Sequence, residues 1–475
     1  MTPAQTGNGL KRDIGWFTAT VIVIANMVGT GIFTTSGFIM AELNTPRTLL
    51  VCWVVGGIFA LCGALCYGEL GARFPRAGGE YVFLKESFGR PMGFLSGWIS
   101  LVVGFSAPIA AAAIAFTTYA FKAMGVVPAP GFQVTVGSIP LFSFSMLNLT
   151  AVAAIVLFSL IHYMGLKAGA RVQNGLTLFK VTVILLFILC GMGMGHGSWA
   201  HFSMAASVGD TFSAEQFAVS LIFVSFSFSG WNAAAYLGGE IKHPRKNIPL
   251  ALTLGTVFVI IVYLLLNGIY IYALPPKDMA GVLEVGGNSA IALFGAPMGG
   301  FFNMAVALGV LSALSAMIMA GPRVYYAMAK DHVFFDCFGN ISEKRHTPAA
   351  SIMLQGTIAV IMVITASFNA LLIYIGFTLS LFALLTVVGL LRIRRQEVAG
   401  ESPGGYRTFG YPFTPLFFIG GNLWIIIFSL KSKPVASLLG VGTIFAGMLF
   451  YAYFASRRDP NPQKGKEMIG AMMPD

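Results

Sequence analysis

Apolar residues fill stretches of about 20 positions along nearly the whole chain, parted by short polar segments that carry Pro, Gly and charge. This is neither the period of two of a half-buried strand nor the one-sided stripe of a surface helix, and its length matches a helix that crosses a membrane. Twelve such spans are predicted, beginning near Ile14, Leu49, Gly93, Met146, Gly175, Gln216, Leu250, Gly299, Ser351, Leu371, Phe413 and Val435. Two are interrupted: the first at Gly29-Thr30-Gly31, and the sixth, about 200 residues on, at Phe228-Ser229-Gly230-Trp231-Asn232. A backbone in hydrocarbon must satisfy its own N–H and C=O groups, so a broken helix is tolerated at membrane depth only where it is buried in protein or lines a cavity. Spans one to five and six to ten read as two halves, each opening on a broken helix, with spans eleven and twelve added. A pseudo-twofold relation between the halves brings the two breaks together near the midplane.

Composition narrows the class. With 56% apolar and 10% charged residues, the chain is far from an ordinary soluble domain, whose charged share is about 25%. The expected fold is an all-α polytopic membrane protein. Its divisions are a cytoplasmic N-terminal tail, 1–13; a transport core, 14–395; the added helices, 396–456; and a cytoplasmic C-terminal tail, 457–475. The first span is too long for the apolar region of a signal peptide and has no small-residue cleavage site.

The net charge of +11 takes its meaning from where the charges lie. With the N-terminus in the cytoplasm, 23 of the 29 Lys and Arg residues fall in cytoplasmic segments, 5 in outer loops and one, Lys180, in a span. That is the positive-inside bias of a membrane protein. Basic residues spread over separate segments form no single stripe, so no nucleic-acid partner is expected. Cys52, Cys62, Cys66, Cys190 and Cys337 lie in spans or a cytoplasmic loop and predict no disulfide framework. The histidines have no metal spacing; no metal or other cofactor is expected.

The chemistry sits at the breaks. If the first helix stops near Val28 and restarts near Gly31, the second piece offers unpaired N–H groups and a positive dipole end, which favour a carboxylate. The first piece, and the first piece of span six near Phe226 and Ser227, end in free carbonyls that suit an ammonium. Together these poles describe an α-amino acid zwitterion; the alternative is that Gly29 and Gly31 only permit close helix packing. Around the second break, Phe226, Phe228 and Trp231 offer rings to cover a ligand, or to pack the core, and Ser227 and Ser229 leave room for its side chain. Lys180 is either a fixed cation that bridges carbonyls of the first helix to hydroxyls of span eight, Ser312 and Ser315, or a side chain that snorkels to the interface. Glu69 and Glu240, near span ends, either join gating ion pairs or stand as plain interfacial carboxylates. No acidic residue is visible near either break. No nucleophile with its base, P-loop or zinc motif is found, so no enzyme is expected.

Tyr67-Gly68-Glu69-Leu70 with Pro75-Arg76-Ala77-Gly78-Gly79-Glu80-Tyr81 resembles the amino acid–polyamine–organocation transporter superfamily. So do Gly29-Thr30-Gly31-Ile32-Phe33, the segment from Gly230-Trp231-Asn232 through Gly239-Glu240 to Pro249, and Gln173-Asn174 leading to Lys180. The resemblance covers about Asp13 to Arg395 and looks nearest to the L-type amino acid transporter branch. It implies a LeuT-like fold of five-plus-five inverted repeats, discontinuous helices 1 and 6, and alternating access. It also implies that Met27, Gly29, Thr30 and Gly31, with Phe226, Ser227 and Ser229, bind substrate, that Phe226 is the aromatic gate, and that Lys180 fills the position sodium takes in sodium-driven relatives.

The chain departs from that pattern in places. After Lys330-Asp331 the usual Gly and Pro are replaced by His332-Val333-Phe334-Phe335, which opens the path of that loop to question. Ser229 stands where many L-type members carry Gly, trimming the pocket towards small neutral substrates. The loop from Lys122 to Ser145 has no cysteine, so the disulfide-linked accessory glycoprotein of animal members is not expected. The function expected is sodium-independent transport of small or medium neutral amino acids across the plasma membrane, by exchange or with protons, with both termini cytoplasmic and lipids as neighbours. The alternatives are a permease for amines such as polyamines or 4-aminobutyrate and, outside the class, a sensor without transport or a channel.

Overall fold

The computed structural model describes residues 10–127, 131–136, 139–205, 213–282, 284–342, 347–365, 368–396, 405–432 and 434–456. Most of the expected N-terminal tail and the whole C-terminal tail lie outside them. The helices are α1 (Trp16–Met27), α2 (Gly31–Leu43), α3 (Pro46–Arg73), α4 (Glu80–Phe88), α5 (Arg90–Ile99), α6 (Ala107–Ala123), α7 (Met146–Met164), α8 (Leu166–Met194), α9 (Ala214–Phe228), α10 (Ala233–Tyr236), α11 (Pro244–Ala273), α12 (Pro276–Met279), α13 (Val285–Phe294), α14 (Ala296–Ala320), α15 (Pro322–Lys330), α16 (Ala349–Thr365), α17 (Phe368–Gln396), α18 (Phe413–Ser432) and α19 (Pro434–Ser456).

Among the described residues, nine helical stretches are long and apolar enough to cross a membrane, ten when the bent pair α1 and α2 counts as one span. The chain is a multi-pass membrane protein. The stretches expected to begin at Gln216 and Ser351 are the shorter apolar helices α9 and α16, of 15 and 17 residues. For α9 the reason is local, since the Ser229-Gly230 turn ends it early.

The all-α expectation needs one correction. Between α6 and α7 the chain forms an antiparallel hairpin, β1 (Phe132–Val136) and β2 (Ile139–Phe144), with a bulge at Val134/Thr135. Phe-Gln-Val-Thr-Val is the alternating β-branched and aromatic sequence that favours a strand, and it lies outside the apolar runs.

The core lies where α1, α3, α6, α9, α11 and α14 pack on one another. Small residues let them approach: a Cβ on Gly56 would sit 2.2 Å from Val224 Cγ1, and one on Gly255 2.7 Å from Val23. At one end the backbone is stapled. Gly78 N–H donates to Tyr236 O at 3.1 Å, and Ile14 N–H donates to Glu240 O at 2.9 Å. These bonds draw the start of α1, the α3–α4 turn and the end of α10 into one seal.

The loop after Lys330 takes a definite path. His332, at φ 53°, holds the left-handed conformation that a glycine takes at no steric cost. Val333 and Phe334 then turn inward and are buried, and Phe335 packs its ring against Phe454 at 4.9 Å.

Candidate functional site

Both interruptions are real breaks, and they meet. α1 ends at Met27, α2 restarts at Gly31, and the two pieces are bent by 41°. α9 ends at Phe228 and α10 begins at Ala233. Gly230, at φ 95°, makes the second turn in a conformation L side chains rarely adopt, and a Cβ there would lie 2.8 Å from Asn26 Cβ. The break therefore needs glycine twice over, for its dihedral and for its neighbour. Across the two pieces, Thr35 Oγ1 and Ser227 Oγ share a hydrogen bond of 2.9 Å.

Tyr263, on α11, joins the breaks. Its hydroxyl lies 2.6 Å from Met27 O and 3.0 Å from Ser227 O, so one donor is shared between the carbonyl ends of both first pieces. Nothing near Tyr263 in the sequence marks it, because the partner atoms are backbone carbonyls of two remote segments. Lys180 is 2% exposed and does not snorkel. Its ammonium donates to Ala25 O at 3.2 Å and to Val28 O, two carbonyls at the end of α1. The expected bridge onward to α14 is absent: Ser315 Oγ instead pairs with His162 Nε2 at 2.8 Å, and Ser312 Oγ is buried without a hydrogen-bond partner. His162 comes from α7 and escaped notice because a lone histidine carries no spacing signal.

The positive pole of the site is the start of α2, whose N-cap Thr30 supplies no side-chain cap. Phe33 N–H turns back onto Thr30 O at 3.1 Å, while the N–H groups ahead of it, at Gly31 and Ile32, have no intrahelical partner, the condition that suits an anion. The two glycines differ in room. A Cβ on Gly29 would sit 3.7 Å from Ala313 Cβ, an ordinary contact, whereas one on Gly31 would sit 2.6 Å from Ser227 Cα. Packing against Ser227 therefore demands glycine at position 31 and does not demand it at position 29.

A cavity opens beside the breaks, and it sorts the expected residues. Phe226, Phe228, Ser229 and Trp231 line it; Met27, Val28, Gly29, Thr30, Gly31 and Ser227 do not. Phe226 is half-buried on the wall, while Phe228 packs behind it on Trp53 and Tyr263, with ring centroids 5.7 and 5.0 Å away. Trp231 is wedged between Tyr67, at 4.6 Å, and Phe418, at 5.9 Å. Several lining residues were missed. Ser100, Gly104 and Phe105 lie on a π-helical stretch, Ser100–Ser106, that joins α5 to α6, a distortion common at functional sites. Ile375, Leu379 and Asn422 reach the cavity from α17 and α18, far away in sequence. Glu80 also lines it, against the expectation that no acidic residue lies near a break; it arrives by the fold of the α3–α4 turn.

Glu69 and Glu240 are fully buried within the protein. Glu69 receives Arg73, Arg394 and Thr408, the last donating from N–H and hydroxyl at 2.7 Å each. Glu240 receives Arg323 through two bonds of 3.1 and 3.0 Å.

With the geometry in hand, kinship follows. The family model for amino acid permeases matches residues 14–461. The chain belongs to the amino acid permease family. Among its relatives, the serine/threonine exchanger SteT of Bacillus subtilis (strain 168) is 27% identical over 95% of this chain and 98% of its own length. The mouse b(0,+)-type amino acid transporter 1 is 27% identical over 94% and 88%, and the human large neutral amino acids transporter small subunit 2 is 26% identical over 94% and 81%. Permeases and exchangers are transport proteins and not enzymes, and this permease sits with them.

Proposed function

We propose that this permease is a secondary transporter of amino acids, of small or medium neutral ones, that works by alternating access without sodium. One observation carries the reading: a single hydroxyl, that of Tyr263, accepted by carbonyls of both broken helices. Two interrupted helices joined at their open ends set the donors of the α2 start beside the Met27 and Ser227 carbonyls, each of which keeps a second lone pair beyond the one that meets Tyr263, and this fits a zwitterion. On this reading Met27, Val28, Gly29, Thr30, Gly31, Phe226, Ser227, Phe228 and Ser229 hold the substrate, with Phe226 and Trp231 as gates; of these, Phe226, Phe228, Ser229 and Trp231 line the cavity. Sodium independence is supported by Lys180, whose ammonium already satisfies the α1 carbonyls that a bound cation would use. Small substrates are supported by Ser229, whose side chain takes space on the cavity wall.

The proposed frame is twelve spans, with α9 and α10 together forming the sixth, in a LeuT-like five-plus-five inverted repeat. It sits in the plasma membrane with both termini cytoplasmic, as the positive charge is distributed. A disulfide-linked accessory subunit is not part of the reading, since the α6–α7 loop carries no cysteine. Exchange of labelled serine, threonine and larger neutral amino acids by proteoliposomes, with sodium replaced by choline, tests it. Exchange above empty vesicles in both salts is expected, and none with any amino acid ends the reading. A second reading, a permease for amines, gains one observation: Glu80 places a carboxyl group in the cavity. Competition by polyamines and 4-aminobutyrate in the same vesicles separates the two.

A further inference from the structure

Three acidic side chains are buried among the described residues, and they are not alike. Glu69 and Glu240 each hold arginines. Glu80, 6% exposed at the start of α4, is held only by neutral groups. Its Oε1 accepts from Tyr67 Oη at 2.6 Å and from Asn232 Nδ2 at 2.9 Å, and Asn232 also donates to Tyr236 Oη at 3.2 Å. The charges on the elements packed around it are committed elsewhere. Lys85 pairs with Asp331, Arg76 with Glu86, Arg323 with Glu240, and Arg73 and Arg394 with Glu69, while Arg392 lies over Phe88. Arg90, Lys330 and Arg395 are exposed to solvent.

The position of Glu80 matters as much as its partners. It lines the same cavity as Phe226, Ser229 and Trp231, and its ligand Asn232 is the last residue of the second break. One carboxyl therefore joins α3 through Tyr67, α4 through its own backbone, and the turn that ends the broken helix. Resting on the transporter reading above, we propose that Glu80 is a proton-binding site that sets whether this turn is held or released.

Ionised, Glu80 accepts charge-assisted bonds from Tyr67 and Asn232 and holds the turn against α3. When a proton from water in the cavity bonds to Oε2, the charge is lost, those two bonds weaken to neutral strength and the turn is freed. Breaking that O–H bond returns the proton to water, so no other reactant is required. Burial drives the carboxyl upward, with donation from Tyr67, Asn232 and Tyr236 pulling the other way, and the balance falls at about 7. The site is thus poised where small changes of pH change its charge. Acid favours release, so transport rises as pH falls through this value.

The test uses the full chain in proteoliposomes, with serine exchange followed from about pH 5.5 to about pH 8.5, a range spanning most of the titration of a carboxyl poised near 7. The wild-type rate is expected to titrate within that range. Glu80→Gln removes the step while keeping the amide's hydrogen bonds, and its substrate-induced thermal shift stays as in the wild type. Tyr67→Phe removes a donor that favours the ionised form, so it moves the midpoint upward by about one pH unit. This second variant keeps the test decisive should Glu80→Gln fail to yield folded protein. Wild-type exchange that is flat with pH, a Glu80→Gln profile that keeps the wild-type step, or an unmoved midpoint in Tyr67→Phe overturns the proton site and leaves the transporter reading standing. Loss of the ligand thermal shift in Glu80→Gln with the pH step retained also overturns it, making Glu80 a ligand contact. Absence of wild-type exchange at every pH overturns both.

Discussion

Lys180 and Tyr263 perform related tasks by different chemistry: each supplies donors to carbonyls left open by a broken helix. Lys180 brings charge, so its bonds are the stronger kind, and removing a charged donor leaves buried acceptors without compensation. Lys180→Ala is expected to lower exchange by about 10- to 100-fold, the scale of one charge-assisted bond, while the thermal shift produced by substrate persists. Exchange at wild-type rate in that variant would count against the fixed-cation role. The two glycines of the first break give a paired prediction. Gly31→Ala places a methyl group against the Ser227 backbone, which cannot rotate away, so α2 and α9 must part. Melting of detergent-purified protein is expected to drop for Gly31→Ala and to change little for Gly29→Ala; equal melting of the two would refute the packing argument. Why glycine stands at these places was half legible in the sequence. A Gly-Thr-Gly within an apolar run announces a break, but whether a given glycine faces a ligand or a neighbouring helix depends on what packs opposite.

At the scale of elements, the breaks themselves were readable because they disobey the local rule. A membrane helix that discards its own hydrogen bonds needs compensation from elsewhere, so small and polar residues within an apolar run signal a cavity or a close neighbour. What supplies the compensation was not readable. Tyr263, the π-helical stretch Ser100–Ser106 and the arrival of Glu80 are products of α11, of the α5–α6 join and of the α3–α4 turn folding against the breaks. The hairpin between α6 and α7 was also missed, since attention to runs of 20 passes over five-residue strands. Because Ser229 lies on the cavity wall, Ser229→Gly is expected to widen the pocket. Competition assays should show larger neutral amino acids gaining affinity relative to serine by up to about tenfold, the usual worth of a small change in pocket volume. An unchanged ranking would remove Ser229 from substrate selection.

Across the whole molecule, the buried pair of Glu240 and Arg323 links pieces far apart in the chain. Glu240 follows the second break and Arg323 lies at the start of α15; both are out of reach of water. A buried pair of this kind contributes little when compared with an apolar substitute, yet removing one partner strands the other charge at a cost of about 3–5 kcal/mol. Arg323→Ala is therefore expected to lower the melting temperature sharply. Simultaneous Glu240→Gln should recover much of the loss, and a double variant no better than the single one would contradict the pairing.

The sequence by itself determined the solvent, the two breaks and the family. Each of these is written in one-dimensional quantities: the length of apolar runs, the placement of Lys and Arg, and motifs of a few adjacent residues. Tertiary structure alone decided which groups satisfy the open helix ends, which glycine is a packing contact, and which carboxyls carry a counter-charge. Those are matters of distance between segments remote along the chain, and in a lipid-exposed protein a buried donor or acceptor left without a partner there is costly.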